Sequence, residues 1–132
     1  MYAPTDPAYG PDYKVTPHFT LGELWCPCCR TFNLTNLTRL CRKLEVARGS
    51  FGPLSIASAY RCQMHNLEKD GKPMSRHLDG LAADIAVYSD GDRFRLMVAL
   101  LNAGFCRIGV MKTAIHADIG ETQVALLWTY YK

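Results

Sequence analysis

Five short apolar runs separated by turn residues constrain this chain more than any other feature of its sequence. Leu54 to Ser58 follows Gly52-Pro53, Ala82 to Val87 follows Gly80, and Phe105 to Val110, Ala114 to Ile119 and Val124 to Tyr131 close the sequence. Each is too short and too β-branched for a helix of ordinary length, so each is predicted to be a strand. Two segments have helical periodicity instead. Leu37, Leu40, Cys41, Leu44 and Ala47 recur at helical spacing between the possible caps Asn33 or Thr35 and the stop Gly49, predicting about three turns of helix. Ser89 and Asp92 have capping-box spacing ahead of Phe94, Met97, Val98 and Leu101, with Gly104 as the stop. A shorter helix is expected after Thr20, three residues before Glu23, ended by the Cys26-Pro-Cys28-Cys29 turn. Strands paired mostly with their sequence neighbours and helices packed against them make an α+β domain, a small, mostly antiparallel sheet flanked by helices.

With 132 residues, 48% of them apolar, the chain has material for one core. Residues 1–18 are rich in Pro, Tyr and Gly without periodicity and read as an extended N-terminal arm, leaving 19–132 as the single domain. The net charge of +3 comes from scattered Lys and Arg, so no nucleic-acid footprint is expected. No apolar stretch has the length to cross a bilayer, and no charged-then-apolar leader opens the sequence, so a protein made in the cytoplasm without membrane insertion is expected. The sequons at Asn33 and Asn36 are then chance matches.

Of four histidines, His18 and His65 fall in predicted loops, whereas His77 and His116 lie beside predicted strands. Seven residues separate His77 from Asp84 across Gly80, so a tight turn brings an imidazole and a strand-borne carboxylate to a common point. His116 supplies a third ligand, and side chains at i and i+2 of a strand share a face, which sets Asp118 on the same side. Three such ligands with a position left open are what a catalytic zinc needs.

The six cysteines divide by context. Cys41 on a helix face and Cys106 in an apolar strand read as small core residues. Cys26, Cys28 and Cys29 cluster, with Cys62 and His65 beyond Arg61; a second, structural zinc on Cys26, Cys29, Cys62 and His65, a disulfide within the set, and free thiols are the three states the sequence allows.

Ser58-Ala-Tyr-Arg-Cys, Asn66, the run from Gly71 through His77 and Gly80 to Asp84, Ile108-Gly-Val, and Ile115-His-Ala-Asp-Ile-Gly120 occur in an order that resembles the M15 family of zinc peptidases. The branch most similar is that of D-alanyl-D-alanine carboxypeptidase-like enzymes of bacteria and phage lysins. The resemblance spans roughly Phe19 to Trp128. It implies a fold like that of D-Ala-D-Ala peptidases and hedgehog domains, Zn2+ held by His77, Asp84 and His116, and Arg61 turned to substrate. Hydrolysis of a peptidoglycan stem peptide, as carboxypeptidase or endopeptidase, is the activity implied, with Tyr60 and Ser75 orienting peptide groups. Many members carry a general-base carboxylate three residues before the last histidine ligand, where this chain has Thr113; Asp118 is the nearest acidic substitute. The alternative is a non-catalytic, zinc-containing cell-wall-binding or virion structural domain of the same fold. The resemblance places the protein's action at the cell wall, released by or carried on a phage.

Overall fold

The computed structural model describes residues 9–68, 75–119 and 124–130, apart from the side chain of Glu68. Residues 1–8 of the expected arm, the Gly71 to Met74 part of the motif run, Gly120 and the end of the last predicted strand lie outside the described residues. The chain forms an α+β fold with two sheets.

Lys14–Thr16 (β1) pairs antiparallel with Phe19–Thr20 (β2), so the last residues before Phe19 are hydrogen-bonded into the fold and pack on the long helix. His18 fastens this hairpin: its backbone N–H and its Nδ1 each lie 2.7 Å from an oxygen of Glu45. Leu21–Leu24 (α1) begins at Thr20, whose backbone N–H donates to Glu23 Oε1 at 2.9 Å, the capping partner anticipated from their spacing.

Leu34–Phe51 (α2) is longer than the periodicity suggested. Asn33 caps it by accepting from the Asn36 N–H, and the expected five residues, Leu37, Leu40, Cys41, Leu44 and Ala47, are its buried face. Gly49 does not stop the helix. The stop is Gly52, at φ 105°, a conformation open to glycine and immediately ahead of Pro53, whose ring disfavours helix at the residue before it.

The main sheet has strand order β3-β4-β6-β5-β7, with β3 Ile56–Ser58, β4 Ala82–Ala86, β5 Arg107–Val110, β6 Ala114–Asp118 and β7 Leu126–Thr129. Three of its pairings are antiparallel, and β5 with β7 is parallel. All five predicted strands exist, each shorter than predicted. The stretch between β3 and β4, where His65 was expected to lie in a loop, instead contains a helix, Gln63–Glu68 (α3), and a 3-10 turn, Arg76–Asp79.

Asp90–Asn102 (α4) starts at Ser89, which accepts from the Asp92 N–H as expected, but the helix is rotated from its predicted face. Leu96, Ala99 and Leu100 are buried, while Phe94, Val98 and Leu101 are exposed, and of the predicted set only Met97 touches the core. The segment is apolar nearly all round, so two faces satisfy the same i, i+3, i+4, i+7 template, and packing against α2 and β6 selects between them. The sheet also has two distinct faces. Ala83, Ile85, Ile108, Ile115 and Ala117 join Leu37, Leu40, Leu44, Leu96 and Leu100 in one core, while the alternate residues point to the other side.

Candidate metal centre

On that other side the strand register draws one row across the sheet. Ser58 pairs with Asp84, Asp84 with His116, His116 with Gly109, and Gly109 with Trp128. Directly paired residues share a face, so the row sets a hydroxyl, a carboxylate, an imidazole and an indole side by side. A register irregularity between Ile56 and Ser58 permits it: Ile56 opposes Ile85 of the core, and Ser58, which a regular strand would turn the same way as Ile56, opposes Asp84.

His77 reaches the row from the 3-10 turn. Ser75 Oγ accepts from the His77 N–H, and Gly80, at φ 76°, closes the turn with its N–H on the His77 carbonyl. Gly80 sits where a left-handed residue is required to send the chain into β4. His77 Nδ1 donates to the Ala59 carbonyl at 2.6 Å, which directs Nε2 to Asp84 Oδ1, 3.2 Å away. His116 Nδ1 approaches the same oxygen at 2.9 Å, and its Nε2 lies 2.8 Å from Asp118 Oδ2. Both histidines therefore spend one nitrogen on an orienting acceptor and aim the other at a single carboxylate oxygen.

All three side chains are buried, and their candidate ligand atoms lie within 4.8 Å of one another. Around a tetrahedral zinc with bonds near 2.1 Å, neighbouring N and O ligands stand about 3.4 Å apart, a little more than the 3.2 and 2.9 Å found. Burial alone would raise the Asp84 carboxyl's pKa, but the hydrogen bonds of His116 and His77 and their charge outweigh it and hold the group well below the usual carboxylate range. His116, with a carboxylate at each nitrogen, is raised despite burial. Two imidazole nitrogens and a carboxylate oxygen are a donor set that zinc takes.

Arg61, which the resemblance turns to substrate, is largely enclosed. Its Nε donates to Ser58 Oγ at 3.0 Å, Nη1 to Asn66 Oδ1 at 3.3 Å and Nη2 to Asp84 Oδ2 at 3.2 Å. One carboxylate thus carries the two histidines on one oxygen and the guanidinium on the other. Asp118 is 2% exposed, with one oxygen on His116 and the other 2.7 Å from Arg107 Nε.

Tyr60 and Ser75, expected to orient peptide groups, are both engaged within the fold. Tyr60 is 3% exposed and lies in the core, its ring beside Gly80 and its hydroxyl bonded to the Thr31 side chain. Ser75 is engaged as the cap of the turn that carries His77. Thr113 is exposed at the mouth of the β5–β6 connection.

Sequence reasoning missed the wall of the site. The Trp128 and His116 ring centroids are 5.5 Å apart, Tyr130 packs edge-on to Trp128, and Arg107 lies over the Trp128 ring at 5.7 Å while holding Asp118. Gly109 makes the space: a Cβ there would fall 2.6 Å from the indole and 2.8 Å from the Tyr130 ring. Alternation of Trp128 and Tyr130 along a strand was the available signal, since it puts both on one face.

A buried His-Asp-His set at the face of an α+β sheet, with both histidines oriented through their second nitrogen, defines a candidate three-ligand metal centre, the ligand number that a catalytic zinc keeps. The family model of Peptidase M15 matches residues 17–119, and the chain belongs to that family. M15 peptidases are generally zinc-dependent, and this chain's His77, Asp84 and His116 supply a site compatible with the metal. No curated protein matches the sequence.

Proposed function

We propose that this chain is a zinc metallopeptidase that hydrolyses amide bonds in peptidoglycan stem peptides, with residues 19–132 as its single catalytic domain and the cell wall as its place of action. The observation that carries the reading is the convergence of His77 Nε2 and His116 Nδ1 on Asp84 Oδ1, inside a family of peptidases.

His77, Asp84 and His116 would hold Zn2+, which when bound supplies Lewis acidity to the scissile carbonyl. The chain's own residues do the rest. Ala59 O and Asp118 fix the two imidazoles, so the ligand set is preorganised before any metal or substrate arrives. Arg61, between Asp84, Ser58 and Asn66, holds a positive charge at the edge of the site, suited to a substrate carboxylate or the developing oxyanion, where one such donor is worth about 3 kcal/mol. Trp128 and Tyr130 form an apolar wall against which a peptide can lie.

A second reading is a zinc-containing wall-binding or virion domain without turnover. It is favoured by the state of the carboxylates: among the described side chains, Asp84 is engaged by the metal ligands and Asp118 by His116 and Arg107, and position 113 is Thr. Incubating the purified chain with peptidoglycan, with and without a chelator, separates the two. Release of peptide amines or terminal alanine that stops on chelation and is absent from His116→Ala supports the peptidase; zinc bound at His77, Asp84 and His116 with no release makes the protein a binder.

A further inference from the structure

Apart from the His-Asp-His set, four cysteines that the proposed activity does not use come together. Cys26, Cys28, Cys29 and Cys62 bring their sulfurs within 4.8 Å of one another. Cys26 Sγ and Cys28 Sγ are 3.4 Å apart, and Cys28 Sγ and Cys62 Sγ 3.3 Å. A disulfide would bring a pair to about 2.05 Å. Four thiolates around a zinc with Zn–S bonds near 2.3 Å stand about 3.8 Å from each other. The spacing is that of sulfurs gathered round a common centre, and the fourth ligand is Cys28 rather than the His65 that the sequence offered.

The backbone of the loop is arranged to serve these sulfurs. Cys26 Sγ takes backbone N–H bonds from Cys28 and Cys62, and Cys62 Sγ takes the N–H of His65 at 3.4 Å. Such bonds offset the negative charge of thiolates. The turn itself closes tightly, with Arg30 N–H on the Cys26 carbonyl at 2.7 Å and Cys26 N–H on the Thr31 carbonyl at 2.9 Å. Arg30 is the one non-glycine residue with positive φ among the described residues, at 61°. A residue with a Cβ holds that conformation at a cost, and does so when its surroundings leave no alternative.

We propose that Cys26, Cys28, Cys29 and Cys62 bind a second, structural zinc ion as a closed tetrathiolate site. Binding exchanges four thiol protons, which go to solvent, for one divalent cation, with no change of oxidation state. The ion staples the loop after α1 to the segment that follows β3. That segment is the one whose Ala59 carbonyl orients His77 and whose Arg61 pairs with Asp84, and its Tyr60 N–H already bonds to Leu24 O. The tetrathiolate site therefore fixes from outside the strand end that organises the inner centre.

Cobalt(II) distinguishes the two sites, because only the cysteine site gives intense sulfur-to-metal charge-transfer absorption. Reduced full-length protein stripped of metal should develop that absorption to an end point of about one cobalt per chain. The band should persist in His77→Ala and in Cys106→Ala and should be lost in the Cys28→Ser/Cys62→Ser double variant, with zinc content falling from about two ions per chain to about one in either the His77→Ala or the double-cysteine protein. Absence of a charge-transfer band from the reduced parent overturns the proposal whatever the inner site does, and so does a band that the double-cysteine variant retains. Disulfides that form among these four cysteines in protein purified with zinc and reductant, detected by mass, also overturn it.

Discussion

Asp118 is held by two hydrogen bonds at once, to His116 Nε2 and to Arg107 Nε, and a carboxylate with both oxygens committed and 2% exposure is placed to orient rather than to shuttle protons. Its strand position had suggested a general base. Asp118→Asn should therefore weaken metal binding about 10-fold to 100-fold, with activity falling in parallel, as read by competition with a chromophoric chelator. Metal affinity of the parent type with hydrolysis reduced by two orders of magnitude or more would return Asp118 to the role of base. The same contacts set the pH response. Burial lowers the His116 pKa, but its bonds to Asp118 and Asp84 outweigh this and raise it above the ordinary histidine value in the metal-free protein. A raised pKa keeps the ring protonated to higher pH, and the metal must displace that proton, so affinity should climb with pH up to the raised pKa and level off beyond it. An affinity flat from acid to neutral pH, measured by the same competition, would show that His116 is no ligand. That His77, Asp84 and His116 come together was legible from the order of the family motifs around them, the spacing of His77 and Asp84 alone being a weak signal. That Tyr60 lies in the core and Ser75 caps a turn was not, since either side chain has uses that only the surrounding packing decides.

The helices and strands differ in how far periodicity fixes them. In α2 the charged and polar residues occupy one side, so a single face was available for burial and its five residues were readable. In α4 the run from Phe94 to Leu101 offers two apolar faces, and the choice lies in the sheet beneath. Leu100→Ala should cost about 2 to 5 kcal/mol, as for other buried leucines, whereas Phe94→Ala should stay within about 0.5 kcal/mol of the parent, as at an exposed site. Chemical denaturation of the pair checks the rotation, and the reverse ranking would restore the predicted face. Strand β5 carries a similar test. Gly109→Ala places a methyl into the indole of Trp128 and the ring of Tyr130, and should cost about 1 to 3 kcal/mol while shifting Trp128 fluorescence. An unchanged emission spectrum would mean that the aromatic wall does not depend on the missing side chain. The wall escaped sequence reading because a glycine in a strand names no partner until the register is known.

Across the whole molecule, the site collects residues from positions 58 to 130, and its central pair, Asp84 and His116, joins β4 to β6 across 32 residues. Such contacts form only after long loops have closed, so the inner ligands converge when the sheet is complete and not before. Family motifs made the existence of the site readable, while its depth, its wall and the length of α2 depended on tertiary packing. The order of the strands has one more result. The two strands that carry ligands, β4 and β6, are covered on both sides by neighbours, but the aromatic wall stands on β7, an exposed outer strand attached to β5 alone. Opening there breaks one ladder and uncovers little of the core, so its free energy lies below that of global unfolding. Amide protons of Leu126 to Thr129 should exchange with solvent deuterium well ahead of those of Ala114 to Asp118, and equal protection of the two segments would show the sheet to open as one unit. Loosening of this outer strand would therefore carry Trp128 away from His116 while the strands that hold Asp84 and His116 stay paired to each other.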